Sequence, residues 1–222
     1  MSIMPSNPPT PSTRAAFVGF GAMGEQVARL ARDTLGVHEE IYFDDHLSAA
    51  GADGARPFAD HAREEFADCG FFVCLGYKHA ALRRTIMQKL AALGRRMPVV
   101  AHPSALLDPS AEIGSGCVFL PGTIVDSKAV IGMGTVMHNG AIVSHDSIVG
   151  ECCYLSPAAT LCGRTRLGHE CFVGAGAMVA NDLIIEDRCV LGIGTVVTAS
   201  IPTAGSHWIG NPMRRVAGGL RL

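Results

Sequence analysis

The sequence predicts a two-part chain, a small parallel α/β domain followed by a solenoid of short, flat strands. Three observations carry that prediction. Strand and helix signals alternate from Ala15 to His102, an apolar residue occupies every sixth position from Leu107 onward, and glycines recur eighteen residues apart in the second half.

The α/β part takes its elements in order. "AAFVGF" (Ala15 to Phe20) is a short buried-strand pattern, "EQVARLARDTL" has helical spacing, and "EIYF" (Glu40 to Phe43) is a second strand running into Asp44 and Asp45. "FFVCLG" (Phe71 to Gly76) reads as a third strand. "KHAALRRTIMQKLAALGRR" reads as a long amphipathic helix and "MPVVAH" as a fourth strand, which closes a small parallel sheet near His102. The expected domains are a disordered Pro- and Ser-rich tail over 1–13, the α/β domain over 14–102 and the solenoid over 103–222.

The second half is counted in sixes. The first position of each hexad, from Leu107 and Ile113 through to Leu191 and Val197, is apolar in all sixteen cases. At this composition chance gives that about once in 10^5 for a fixed frame. The fifth position is Ala, Cys, Ser or Thr except at Leu183 and Ile201. One large and one small inward residue per six suits short strands joined by tight corners, each coil covering the next. Gly114, Gly132, Gly150 and Gly168, then Gly174 and Gly192, set three hexads per coil, with glycine expected at corners for its backbone freedom. Cys117, Cys153, Cys171 and Cys189 share the small inward position, so they are expected to be a buried column and not redox centres.

Composition removes several classes of function. A net charge of −2 without a long Lys/Arg run offers no footprint for nucleic acid or an anionic membrane surface. No apolar run approaches a membrane span, and the N-terminal residues lack the basic and apolar regions of a signal peptide, so a cytoplasmic location is expected. The eight cysteines contain no CxxC and lie apart from any His-rich motif, so neither disulfides nor a zinc site is expected.

Several motifs stand together: "GFGAMG" with "FDD", the junction "HPSALLDPSAEIG", "SHDSIVGECCYLSP", and "WIGNPMRR" near the C-terminus. With the hexads, they make nearly the whole chain resemble the sialic acid O-acetyltransferase and nucleotide-4-amino-sugar N-acetyltransferase family of left-handed parallel β-helix acyltransferases. The resemblance implies a homotrimer with acetyl-CoA in the groove between neighbouring β-helices and direct transfer in a ternary complex. It implies acetyl-CoA contacts at Tyr154, Ala175 and Ile193, and at Arg214 or Arg215 in the C-terminal segment.

"GFGAMG", Gly19 to Gly24, lies between a strand and a helix, with Asp44 and Asp45 about twenty residues on, which matches a dinucleotide fingerprint. Size argues against NAD, because about 85 residues hold one mononucleotide half and no second half follows. In the resembled family this loop holds the nucleotide of a nucleotide-sugar, which implies a site of Gly21, Ala22, Met23, Asp44, Asp45 and Gly76. Met23 stands where many relatives have histidine.

Acetyl transfer to an amine or hydroxyl requires a base for the acceptor proton and donors for the thioester oxyanion. His145 is at the third position of its hexad, two after the inward Val143, so it belongs near a corner or on the outer face. By resemblance His145 is the base, Asp146 orients it, and Gly163 is a candidate oxyanion amide. Tyr154 stands where many relatives have a second histidine, His138 is expected near the same groove, and no metal is implied. The expected activity is acetyl-CoA-dependent N-acetylation of a nucleotide-linked amino sugar in surface glycan biosynthesis. Sialic-acid-type O-acetylation, a non-catalytic β-helix scaffold and a nicotinamide-dependent enzyme are the alternatives.

Overall fold

The structure, a computed structural model, describes residues 13–217, so most of the expected tail lies outside the described residues. β1 (Arg14–Val18), β2 (Glu39–Phe43), β3 (Ala55–Arg56) and β4 (Gly70–Val73) form a parallel sheet in the order β3-β2-β1-β4. Ala15, Ala16 and Phe17 are wholly buried, as a central strand covered on both sides requires. β1 stops at Val18 because Gly19 turns at a φ of 81° into α1 (Ala22–Leu35), and Gly36 ends that helix in the left-handed conformation. A short helix, α2 (Asp45–Ala49), follows β2, and α3 (Ala80–Ala92) follows β4 and a 3-10 turn over Tyr77–His79.

The expected fourth strand, "MPVVAH", does not join this sheet. Its Val100–Ala101 pairs with Val118–Phe119 and so forms the first rung of the solenoid, ahead of the expected boundary after His102. An apolar run signals burial but not its partner, which is a non-local choice. The true fourth strand, β3, is a two-residue pairing in polar surroundings with no apolar run to signal it.

The solenoid is a triangular prism with three parallel faces. The first face carries Val100–Ala101, Val118–Phe119, Val136–Met137, Tyr154–Leu155, Phe172–Val173, Val190–Leu191 and His207–Ile209, closed by the antiparallel Arg214–Arg215. The second runs from Leu106–Leu107 to Val196–Val197 and the third from Glu112–Ile113 to Ile184–Ile185. Strands pair with those eighteen residues away, as Ile142 with Thr160, so three hexads make one coil. Every first-position residue from Phe119 to Val197 is at most 3% exposed. Each such Val, Leu or Ile contributes roughly 2 kcal/mol of apolar burial.

The glycines do not serve the purpose expected of them. Gly114, Gly132, Gly150, Gly168 and Gly174 do not have positive φ; a Cβ on any of them would lie 2.5–2.7 Å from backbone atoms of the next coil. Glycine is needed there for close approach between coils. The left-handed turn falls instead on the fourth hexad position, at every hexad from Gly116 to Gly194, and eight of those residues are not glycine. Each costs about 1 kcal/mol locally. Coil-to-coil hydrogen bonds at the corners, such as Asp146 N–H to Ser127 O at 3.0 Å, hold the turn whatever the side chain.

The α/β domain packs on the first face and the corner before it. Val27, Ala31, Phe72 and Cys74 share one core with Val100, Val118 and Val136 from the outer side of that face. Arg83 of α3 is fully buried and donates to Leu75 O at 2.9 Å, Cys152 O at 2.6 Å and Cys153 O at 3.2 Å. The neighbouring Arg84 pairs with Glu151 and Glu170. The cysteine column is as expected: Cys117, Cys153, Cys171 and Cys189 are buried in the prism core, and burial pushes the Cys117 thiol up to about 12.

Candidate active site

His145 lies at the corner between the second and third faces, between Ile142–Val143 and Ile148–Val149. Consecutive strand side chains point apart, but Asp146 turns at a φ of 56°, and that turn folds its carboxylate back onto the imidazole. Asp146 Oδ2 lies 2.9 Å from His145 Nδ1. The hydrogen bond from His145 holds the Asp146 carboxyl below its usual range; slight desolvation opposes this, and Lys128 and Arg164 reinforce it. A carboxylate at Nδ1 fixes the proton there and leaves Nε2 as the basic nitrogen.

Gly163 lies one coil on, under the imidazole. A Cβ at Gly163 would stand 2.6 Å from His145 Nε2 and 2.7 Å from its Cε1, so this glycine gives the ring its seat. Among the described residues, no backbone carbonyl accepts the Gly163 N–H. Two further corner residues, Arg164 and Asp182, form a two-point ion pair (Nε–Oδ1 2.6 Å, Nη2–Oδ2 2.8 Å). A count of eighteen from Asp146 would have found both, but the sequence reading did not single them out.

A second cluster lies on the other side of the prism. The α/β sheet reverses its strand order between β1 and β4, and the crevice at the carboxyl ends of those two strands is where such sheets take ligands. Gly21, the N-cap of α1, and Gly76, before the Tyr77–His79 turn, flank it, with Ala22 opening the helix. A Cβ on Gly21 or Gly76 would meet nothing within 4 Å, whereas one on Gly24 would reach Gly19 O at 2.8 Å. The loop is therefore packed tightly beneath and open above.

The crevice adjoins the solenoid through Tyr77, whose ring lies 4.9 Å from Phe172 and 5.6 Å from Tyr154 between centroids. The Tyr154 hydroxyl lies 2.7 Å from His138 Nε2. Burial raises the Tyr154 pKa and lowers that of His138, so both groups favour their neutral forms near pH 7. His138 is thus engaged at the corner between the first and second faces, whereas His145 lies at the corner between the second and third. Sequence spacing gave no signal for this pair, because sixteen residues is not a whole coil.

The remaining expected residues spread along the prism. Ala175 and Ile193 stack one coil apart at the corner between the first and second faces, and Ile193 is 81% exposed. Arg214 and Arg215 are exposed on the last strand of the first face. Met23 packs on the core shared by the two domains. The Asp44 carboxylate accepts from the Phe20, His46 and Leu47 N–H groups, and Asp45 accepts from Phe58 N–H. Burial raises the Asp44 pKa, yet these hydrogen bonds outweigh it and the net shift is downward. These carboxylates, expected to line the nucleotide-sugar site, hold loops together. Among the described residues no cluster of His, Cys, Asp or Glu could hold a metal, and no helix is long and apolar enough to cross a membrane.

Residues 111–137 and 164–199 match the family model "hexapeptide repeat of succinyl-transferase". The fold is similar to the acetyltransferase domain of PglB from Neisseria gonorrhoeae, with 29% identity and a TM-score of 0.80 over 92% of this chain and all of that one. It is also similar to GDP-perosamine N-acetyltransferase from Caulobacter crescentus, with 25% identity and a TM-score of 0.83 over 91% of this chain and 96% of that one. The chain thus has the left-handed β-helix of hexapeptide-repeat acyltransferases and is similar to acetyltransferases over nearly its whole length. A third structure, WeeI from Acinetobacter baumannii, shares the fold at 23% identity and a TM-score of 0.81 over 91% of this chain and all of that one. No curated protein sequence matches the chain significantly.

Proposed function

We propose that the chain transfers the acetyl group of acetyl-CoA to the amino group of a nucleotide-linked amino sugar, in a ternary complex, with His145 as general base. The observation that carries this reading is the Asp146–His145 pair seated on Gly163, which presents a basic Nε2 at an open corner. His145 Nε2 takes the proton of the amine as its nitrogen attacks the thioester carbonyl, and the imidazolium returns a proton to the departing thiolate. The Gly163 N–H is the donor proposed for the oxyanion. Among the similar structures, the PglB domain is known with acetyl coenzyme A. The Caulobacter enzyme is known with CoA and GDP-perosamine, in two cases with one of its histidines replaced by alanine or asparagine.

The nucleotide is assigned to the crevice at Gly21, Ala22 and Gly76, where two helix N-termini and open glycine backbone suit a pyrophosphate. Met23, Asp44 and Asp45 support that loop. The corner bearing His145 is opposite the first face, so within one chain His145 cannot reach the crevice or Tyr154. A neighbouring copy must complete the site, which favours a homotrimer. Its surface is the outer side of the second face, where Leu106, Ile124, Ile142, Met178 and Val196 form a mainly apolar row, interrupted at Thr160, beside the His145 corner. Acetyl-CoA then lies between β-helices, against Tyr154, Ala175 and Ile193, with Arg214 and Arg215 for its phosphates.

The test is thiol release from acetyl-CoA with UDP-, GDP- and dTDP-linked amino sugars and free sialic acid, beside the mass of the assembly in solution. His145→Ala should lose at least ~100-fold in kcat while keeping the wild-type mass. Activity on sialic acid alone, or full activity in His145→Ala, would overturn the reading.

A further inference from the structure

The corner that carries His145 also carries a ladder of alternating charge. Lys128, Asp146, Arg164 and Asp182 lie eighteen residues apart, each at the left-handed fourth position, with φ of 57°, 56°, 58° and 64°. Their backbones are tied rung to rung: Asp146 N–H to Ser127 O, Arg164 N–H to His145 O at 2.9 Å, and Asp182 N–H to Gly163 O at 3.1 Å. Successive rungs are therefore about one strand spacing apart, ~4.8 Å. Arg164 has a carboxylate on either side, Asp146 one coil before it and Asp182 one coil after. Its guanidinium turns to Asp182 and meets both carboxylate oxygens, while Asp146 Oδ2 is left to His145.

We propose that Asp182 is a positioning residue for acyl transfer: by holding Arg164 in a two-point bond, it keeps that guanidinium off Asp146 and reserves the Asp146 carboxylate for His145. The inference rests on His145 being the base. The charged groups that face the imidazole at this corner are Lys128, Asp146, Arg164 and Asp182. Without Asp182, the nearest anion to Arg164 is Asp146. A fork-shaped donor suits that carboxylate as well as it suits Asp182. Asp146 would then bind the guanidinium in place of the imidazole, and His145 would lose the acceptor that orients its ring and fixes its Nδ1 proton.

The test compares Asp182→Asn, Asp182→Glu and the double variant Asp182→Asn/Arg164→Gln with wild type. Two readouts are used: the tautomer of the neutral His145 ring, read from its ring-nitrogen NMR shifts in the free protein, and kcat. In Asp182→Asn the Nδ1–H tautomer should lose population to the Nε2–H form, and kcat should fall about 10-fold with KM for acetyl-CoA unchanged. Asp182→Glu should retain most of the activity. Removing Arg164 as well should return kcat to within about 2-fold of wild type and restore the Nδ1–H tautomer, because the competing cation is gone. An ion pair that acted only through its charge would leave the tautomer as it is in wild type. If the tautomer in Asp182→Asn matches wild type, or the double variant is as impaired as the single one, the proposal fails. The NMR readout needs no substrate, so a changed tautomer in a protein with no acyl transfer would support the positioning role and sink the acetyl-transfer reading instead.

Discussion

Gly163→Ala isolates the seat of His145, the proposed base. Gly163 does not have positive φ, so alanine can adopt its backbone without strain, and the substitution adds a single methyl. That methyl would stand 2.6 Å from His145 Nε2 and 2.7 Å from Cε1, against a comfortable contact of about 3.5 Å. The ring must therefore move by about 1 Å, which disturbs its alignment with Asp146, 2.9 Å from Nδ1. A misplacement of that size at a reacting group costs on the order of 100-fold in kcat. The side chain is 40% exposed, so it can swing outward and the fold should pay less than about 1 kcal/mol. Steady-state kinetics with acetyl-CoA, a thermal melt and the mass in solution check this together. A variant with wild-type kcat would refute the seat, and one that fails to assemble would show that Gly163 serves the coil and not the histidine.

Two further expectations follow from the packing. Arg83→Met should destabilise the protein by roughly 3 kcal/mol, since the buried Leu75 and Cys152 carbonyls lose a charged donor, partly offset because a guanidinium is no longer buried. Urea unfolding followed through the single tryptophan, Trp208, measures it, and a loss below about 0.5 kcal/mol would show that the three hydrogen bonds contribute little net stability. The lowered pKa of His138, caused by burial, gives stability that is complete above its unfolded value of about 6.5 and is lost as pH falls through the folded one. Tm should therefore fall between pH 7.5 and 5.5 with a slope that His138→Gln reduces; an unchanged slope would place the pH sensitivity elsewhere.

The sequence by itself determined the solenoid. A coil of three hexads gives every inward position the same surroundings, so the core register of Val143, Val149 and Leu155 and the cysteine column are one-dimensional facts that spacing reveals. The local chemistry of "SHD" was legible for the same reason, because the fourth hexad position turns the chain regardless of residue and brings Asp146 onto His145. Gly163 and Arg164 are likewise one coil along, at fixed offsets. Only the tertiary structure decided the rest, since it depended on which distant segments meet. It placed Val100–Ala101 on the solenoid, spent the Asp44 oxygens on loop amides, and bonded His138 to Tyr154. It also set the His145 corner opposite the crevice at the carboxyl ends of β1 and β4. Those outcomes follow from competition among non-local partners and from closure of the prism, and neither leaves a period in the sequence.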